Sequence, residues 1–176
     1  METIKQSLST PLKMGIIIGL VYCVFIFIEN QFFYAIPIQF GVAKAAGYLF
    51  IVAGYFYTGY LSKKELSGYI SFQECLKSIL LAIAVAELIY LLFSVLYITV
   101  IDPGFIDKMK IAYLAFFEKS KMPEDQISQQ MEKFNEAGKI TIWSLIQTYG
   151  FSIIIDAVFA VIFAAILKKP KPSFEN

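Results

Sequence analysis

Two acidic residues inside long apolar stretches are the most informative chemical groups of this chain. Glu87 lies between Ala-Val-Ala and Leu-Ile, and Asp156 lies between Ile-Ile-Ile and Ala-Val. A charged side chain at the centre of a bilayer costs ~2.5–3.5 kcal/mol on insertion scales, so such residues usually face a bundle interior or a water-filled cavity. Carboxyl groups in that setting can relay a proton or bind a cation.

The depths of Glu87 and Asp156 predict that the two side chains could be neighbours. Counted along a helix from Lys77, Glu87 lies ~15 Å deep, and counted back from Lys168, Asp156 lies ~18 Å from the same side. Two close carboxyl groups cannot both ionise cheaply, so we expect a shared proton or a bound cation. The alternative is that each group is protonated, or bonded to Tyr, Ser or Thr, and only holds helices together.

Glu29 and Lys44 form a second candidate pair, near the outer ends of two other apolar stretches. The interpretation we favour is an interfacial ion pair that joins the first two spans. A ligand site outside the cytoplasm is the alternative.

Four apolar stretches must position these groups, at about 15–36, 41–61, 79–101 and 140–167. Each has the roughly 20 residues that a helix needs to cross a bilayer. The chain is 58% hydrophobic and only 16% charged, and the spans use most of its 176 residues. The sequence therefore predicts an all-α integral membrane four-helix bundle, in one membrane domain covering residues 1–176.

Helix boundaries are marked by local signals. Thr10-Pro11 has a cap residue before a proline and predicts the start of the first helix. Ser71 and Glu74 form a capping box, which predicts that the third helix starts near Phe72 and runs to about Ile101. We expect residues 103–138 to form an extramembrane amphipathic helical hairpin. It packs on its own bundle or membrane, or else binds a partner.

Lysines in short loops predict the orientation. They precede the first span, lie between the second and third, and follow the fourth: Lys5, Lys13, Lys63, Lys64, Lys77, Lys168, Lys169 and Lys171. The connection at 30–40 has none. We therefore expect both termini in the cytoplasm, the hairpin outside, and a short, disordered cytoplasmic tail at 168–176.

Composition argues against several function classes. The chain has no His and no Arg, and Cys23 and Cys75 show no metal-binding spacing. The formal net charge of +1 gives no attraction to nucleic acid. Because no catalytic motif is present, we expect no enzyme, no cofactor, no metal and no nucleic-acid partner.

Small residues and tyrosines have simpler interpretations. The Gly15–Gly19 spacing is typical of close helix packing, within the chain or between copies. Tyr48, Tyr55, Tyr57 and Tyr60 in the second span are interpreted as interfacial belt residues, with an aromatic ligand pocket as the alternative.

Two short motifs resemble a known family. Gly-Tyr-Ile-Ser-Phe at Gly68–Phe72 precedes the third span, and Ile-Asp-Pro-Gly-Phe at Ile101–Phe105 follows it. Together with the length, the span number and the loop position, they are similar to the bacterial domain-of-unknown-function 4199 (DUF4199) family. The resemblance implies a small integral protein of the bacterial cytoplasmic (inner) membrane. It implies no catalytic residues, because the family has no assigned activity.

Two function classes lead on these grounds. The first is a non-enzymatic accessory or scaffold subunit that acts through helix–helix and hairpin contacts. The alternative is a small oligomeric proton- or cation-coupled transporter that uses Glu87 and Asp156. The expected partners are the lipid bilayer and either further copies of the chain or another membrane protein subunit.

Overall fold

Helices make up nearly all of the described chain. The computed structural model describes the backbone of residues 2–137 and 141–171, and their side chains except those of residues 2–9, 137 and 142. The helices are α1 (Glu2–Phe32), α2 (Pro37–Glu65), α3 (Phe72–Leu96), α4 (Phe105–Lys119), α5 (Glu124–Ala137) and α6 (Ile142–Leu167). A π-helical turn, Tyr97–Ile101, extends α3. The prediction of an all-α protein is confirmed.

Four of these helices are long and apolar enough to cross a membrane. The candidate spans are Thr10–Phe32, Pro37–Glu65, Phe72–Ile101 and Trp143–Leu167. The helical pair α4–α5 stands between the third and fourth spans, as the fold prediction required. Helix α2 continues past residue 61, the predicted end of the second span. Helix α3 begins before residue 79, the predicted start of the third span. The predicted limits at 138 and 140, and residues 172–176 of the predicted disordered tail at 168–176, lie outside the described residues. The start of that tail is ordered, contrary to the prediction, because Lys169 forms two backbone hydrogen bonds with Ile70.

The start of α1 differs from the sequence prediction. The helix begins at Glu2 and passes through Pro11, instead of starting at Thr10-Pro11. The Thr10 hydroxyl, which we expected to cap the helix, donates a hydrogen bond to the Glu65 carboxylate at the end of α2. Since this long-range contact uses the capping group, the hydroxyl ties α1 to α2 and does not end the helix.

The start of α3 follows the predicted signals. The Ser71 hydroxyl accepts a hydrogen bond from the Glu74 backbone N–H, and the Glu74 carboxylate accepts one from the Ser71 N–H. Ile70 and Cys75, on either side of this capping box, are buried in the same apolar core. The capping box places the first residue of α3 at Phe72, as predicted.

Helices α2 and α3 form the centre of the bundle. Each contacts the other and also contacts α1 and α6. Gly15 and Gly19 on α1 pack directly on α3, because a Cβ atom at Gly15 would lie 2.8 Å from the Ala82 carbonyl oxygen. At Gly19 it would lie 2.9 Å from Ile89 Cβ. The predicted close-packing motif therefore joins two helices of the same chain.

The bundle has two chemically different ends. We call the end that carries Lys63, Lys64, Lys77, Lys168 and Lys169 the lysine end. There, Ile70 and Lys169 exchange two backbone hydrogen bonds, of 2.9 and 2.8 Å. At the other end, which we call the hairpin end, Phe105 and Met109 of α4 pack against Phe40 and Tyr97. Helix α4 thus packs on its own bundle, which was the favoured interpretation of the hairpin.

Candidate functional site

Glu87 and Asp156 lie together in the interior of the bundle. Glu87, on α3, is 2% exposed and Asp156, on α6, is 1% exposed. The two carboxyl groups lie beside each other and interact electrostatically. The contact between α3 and α6 brings them together, and the Tyr149 hydroxyl supports it with a 2.9 Å hydrogen bond to the Ala84 carbonyl. We call Glu87 and Asp156 the carboxyl pair.

Hydroxyl groups from two helices surround the carboxyl pair. The Tyr48 hydroxyl donates a hydrogen bond of 2.5 Å to Oδ1 of Asp156. The Tyr55 hydroxyl lies 3.5 Å from Oε1 of Glu87, which is a long hydrogen bond. The Ser152 hydroxyl, one turn before Asp156 on α6, lies near Glu87. The pair is therefore held by side chains of α2 and α6, and its setting is polar although the surrounding spans are apolar.

One oxygen of the carboxyl pair has no donor. Oδ2 of Asp156 is buried and has no hydrogen-bond partner among the described residues. A buried acceptor without a donor costs ~1–3 kcal/mol. Two ionised carboxylates cannot satisfy each other, whereas one proton on Glu87, or a small cation between the groups, would satisfy Oδ2. The geometry can therefore hold one proton or one cation at this place.

The sequence reasoning missed the hydroxyl partners, although their spacing carried a signal. Tyr48 and Tyr55 are seven residues apart on α2, and Tyr149, Ser152 and Asp156 follow helical spacing on α6. Residues at such spacings share one helix face, so each helix presents a polar stripe to the interior. A search for polar residues in helical register with Asp156 would have found Ser152 and Tyr149.

The interpretation of the second-span tyrosines as a belt is wrong for two of them. Tyr57 and Tyr60 are 51% and 48% exposed and stack on each other, in keeping with an outward-facing position. Tyr55 is fully buried, and Tyr48 is half-buried with its ring against Phe159 at a centroid distance of 6.3 Å. Burial between helices, which hydropathy does not report, gives these two rings a different role.

Glu29 and Lys44 lie on a common cavity at the hairpin end. Glu29 is buried at 5% exposure, but no ion pair within 4.0 Å joins it to Lys44. The Lys44 ammonium instead lies 4.7 Å from the centre of the Phe40 ring. The cavity wall also includes Tyr48, whose hydroxyl bonds to Asp156. The two candidate sites are therefore connected through one tyrosine.

Other reactive groups form no additional site. In the described ranges, no group of three or more His, Cys, Asp or Glu side chains could hold a metal ion. Cys75 is a buried core residue beside Ile79, and Cys23 is half-buried on α1; both are free thiols.

The two motifs noted in the sequence have defined places in this structure. Gly68–Phe72 forms the turn that caps α3, and Ile101–Phe105 leads from α3 into α4. Residues 13–169 match the model of a family described as a protein of unknown function, DUF4199. The chain belongs to this family. No curated protein and no solved structure matches this DUF4199 protein. Membership therefore confirms the resemblance and assigns no role to any residue.

Proposed function

We propose that this DUF4199 protein is a small membrane transporter, not an enzyme, in which the carboxyl pair takes up and releases a proton or exchanges it for a small cation. The observation that carries the proposal is the buried Oδ2 of Asp156, which has no donor although it lies beside a second carboxyl group. A proton on Glu87 or a small cation between the groups would supply the missing partner, and carboxyl groups inside membrane spans commonly mark proton or ion pathways.

A route for protons toward the carboxyl pair supports the proposal. Tyr48 lines the cavity at the hairpin end and donates its hydroxyl hydrogen to Asp156. Within the described part of the chain, this hydroxyl links the cavity lining to the carboxyl pair. Toward the lysine end, the Thr58, Ser62 and Ser78 hydroxyls continue the line of polar groups. A line of hydroxyl groups suits a proton or a small cation.

Orientation and location are part of the same proposal. The lysine end gathers the basic residues of short loops, which by the positive-inside rule belongs in the cytoplasm. The protein then lies in a bacterial cytoplasmic membrane with both termini inside, and the cavity and hairpin face outward. A reporter that works only in the cytoplasm should be active when it is fused to the C-terminus. A reporter that works only outside the cytoplasm should be active when it is inserted at the exposed turn beside Lys121. The reverse pattern would contradict this orientation.

The test of transport is proton flux through the purified protein. The full chain is reconstituted into liposomes that contain a pH-sensitive dye, and a potassium diffusion potential is applied with valinomycin. We expect the protein to acidify or alkalinise the lumen faster than empty liposomes do. Glu87→Gln, Asp156→Asn and the double variant should each reduce the proton flux to that of empty liposomes, because an amide cannot release a proton in the pH range of the assay.

The matched control is Glu118→Gln, since Glu118 is an exposed acid on α4. Its flux should equal that of the unchanged protein. Flux that persists in the double variant, or that is absent from the unchanged protein with either sodium or potassium present, would show that the carboxyl pair only joins helices.

An accessory-subunit role remains a second candidate because of the hairpin. Ile111 on α4 is 70% exposed and Leu114 is 37% exposed, although α4 lies beyond the third span. Such residues could contact the bilayer surface or another subunit. Extraction in mild detergent followed by mass spectrometry tests this role. A stoichiometric partner that is lost in an Ile111→Ser, Leu114→Ser variant would support it, whereas a chain that purifies with nothing bound would not.

A further inference from the structure

The cavity at the hairpin end contains two opposite charges that do not pair. It has a volume of about 310 Å³ and is enclosed by α1, α2 and α3, with Phe105 of α4 at its edge. Glu29 and Asn30 come from α1 and Lys44 from α2. The volume lies at the lower limit of the roughly 300–1,000 Å³ that is usual for small-molecule sites.

Glu29 is a buried acid without a partner. It is 5% exposed, and no donor among the described residues bonds to its carboxylate. Asn30, beside it, is 7% exposed, and its amide also makes no hydrogen bond within the described part of the chain. Buried polar groups are nearly always hydrogen-bonded, and charged ones are paired. Because both residues line one cavity, the partner of their polar groups comes from the contents of the cavity and not from the chain.

The fold makes room for the Glu29 carboxylate. A Cβ atom on Gly47 would lie 2.7 Å from Oε1 of Glu29 and 3.4 Å from the Phe25 ring. Any larger residue at this position would therefore displace the carboxylate. The absence of a side chain at Gly47 allows Glu29 to remain inside the bundle while its charge borders the cavity.

Lys44, on α2, supplies the opposite charge in the cavity lining. Its ammonium lies over the Phe40 ring at 4.7 Å, a cation–π contact, and not on Glu29. One acid and one base give the cavity no net charge, and the buried acid has no bonded counter-charge. The aromatic part of the wall is rigid, because Tyr22 and Tyr90 stack with their ring centres 4.3 Å apart.

We propose that this cavity binds a small organic zwitterion of the α-amino acid class. The ligand's ammonium group would bond to Glu29 and Asn30, and its carboxylate would bond to Lys44. A simple cation would be repelled by Lys44, and a simple anion would be repelled by Glu29. A molecule with both charges is complementary to both residues.

The inference extends the proposed function without depending on it. Tyr48 borders the cavity and bonds to Asp156, so the ligand and the carboxyl pair would share one hydroxyl. Binding at Glu29 and Lys44 requires no proton transfer, however, and is measured without a pH gradient. Loss of proton flux with binding retained would defeat only the transport proposal, and the reverse result would defeat only this one.

The experiment measures binding of the proteinogenic L-amino acids to the full chain in lipid nanodiscs. Thermal unfolding is followed with each amino acid in turn, and any hit is confirmed by equilibrium dialysis with the radiolabelled compound. We expect at least one amino acid to raise the unfolding temperature. The matching compounds with a single charge should not do so; for L-leucine these are isoamylamine and 4-methylpentanoic acid.

Variants on the two sides of the cavity assign the site. Glu29→Gln and Lys44→Met should each weaken binding by about tenfold or more, since each removes a charge-assisted hydrogen bond. Glu118→Gln and Lys64→Met, at exposed positions, are the matched controls and should bind normally. Lys44 is itself exposed, so its replacement should leave the fold intact and keeps the test valid if Glu29→Gln fails to fold.

Three results would overturn the proposal. One is that no amino acid of the set binds. Another is that the amine alone binds as well as the amino acid, which would make the cavity a cation site. The third is that both cavity variants bind with unchanged affinity.

Discussion

The lysine end and the hairpin end of the bundle treat their buried polar groups in opposite ways. Near the lysine end, the Ser62 and Ser78 hydroxyls bond to each other at 2.5 Å, and the Thr58 hydroxyl bonds to the Gly54 carbonyl at 2.9 Å. At the hairpin end, Glu29 and Asn30 are equally buried but have no partner in the described chain. Gln31 and Tyr97 are hydrogen-bonded at the same end, so the groups without a protein partner are those that border the cavity.

The polar groups that bond to each other stabilise the bundle, whereas the groups without a protein partner are available to bind a ligand. In an apolar medium, unsatisfied polar groups lower stability, so they are tolerated mainly where function requires them. The carboxyl pair lies between the two regions and shares properties with both. Asp156 accepts a strong hydrogen bond on Oδ1, and its Oδ2 has no donor.

The largest expected effect concerns the packing of α1 on α3. Gly15→Leu should lower the free energy of unfolding by about 3 kcal/mol, since its Cβ would meet the Ala82 backbone at 2.8 Å. Gly41→Leu, where nothing lies within 4 Å, is the control and should change little. Thermal unfolding in detergent measures both, and an equal loss in the two variants would contradict the tight packing described here.

The next largest effect should come from Asp156. Asp156→Ala leaves the Tyr48 hydroxyl without an acceptor, and we expect the unfolding free energy to fall by about 2 kcal/mol. Asp156→Asn retains a carbonyl oxygen for Tyr48 and should keep most of the stability. If both variants were as stable as the unchanged protein, the hydrogen bond from Tyr48 would have no structural role.

A smaller effect is expected where the polar groups are satisfied. Ser62→Ala removes one side of the Ser62–Ser78 contact and should cost about 1 kcal/mol. The double variant with Ser78→Ala should cost less than the sum of the two single changes, because no hydroxyl is then left alone. Strictly additive losses in this double-mutant cycle would show that the two hydroxyls do not depend on each other.

The smallest effect should be seen at Glu29. Without a ligand, Glu29→Gln should change the unfolding free energy by less than about 0.5 kcal/mol or raise it, because no protein group bonds to this carboxylate. The same comparison with Lys44→Met should give the same result. A clear loss in both variants would support the ion pair favoured from the sequence and would remove the contrast between the two ends.

Much of the fold could be predicted because it depends on local composition. Apolar length predicts the spans, since the bilayer requires a helix of that length wherever its neighbours lie. The capping box at Ser71 and Glu74 predicts the start of α3 because both groups belong to one turn. At Thr10-Pro11 the same kind of reasoning was wrong, because Glu65 from another helix took the capping hydroxyl.

The candidate site was less predictable because it depends on which helix faces meet. Depth along the helices indicated that Glu87 and Asp156 could be neighbours, but hydropathy could not reveal that Tyr48 and Tyr55 turn inward to them. The absence of an ion pair between Glu29 and Lys44 was not predictable either, because it depends on contacts with other residues. The separation of the two side chains depends on Gly47 and Phe40 of α2, which no pattern in the sequence connects to Glu29.

The sequence by itself determined that this DUF4199 protein is a four-span membrane bundle with two acids in its spans. Those properties follow from the transfer energy of each segment and need no knowledge of neighbours. Only the tertiary structure decided which buried polar groups bond to each other and which border the cavity without a protein partner. The physical reason is that the rotation of each helix about its axis is set by close contacts between helices, such as that of Gly15 on Ala82.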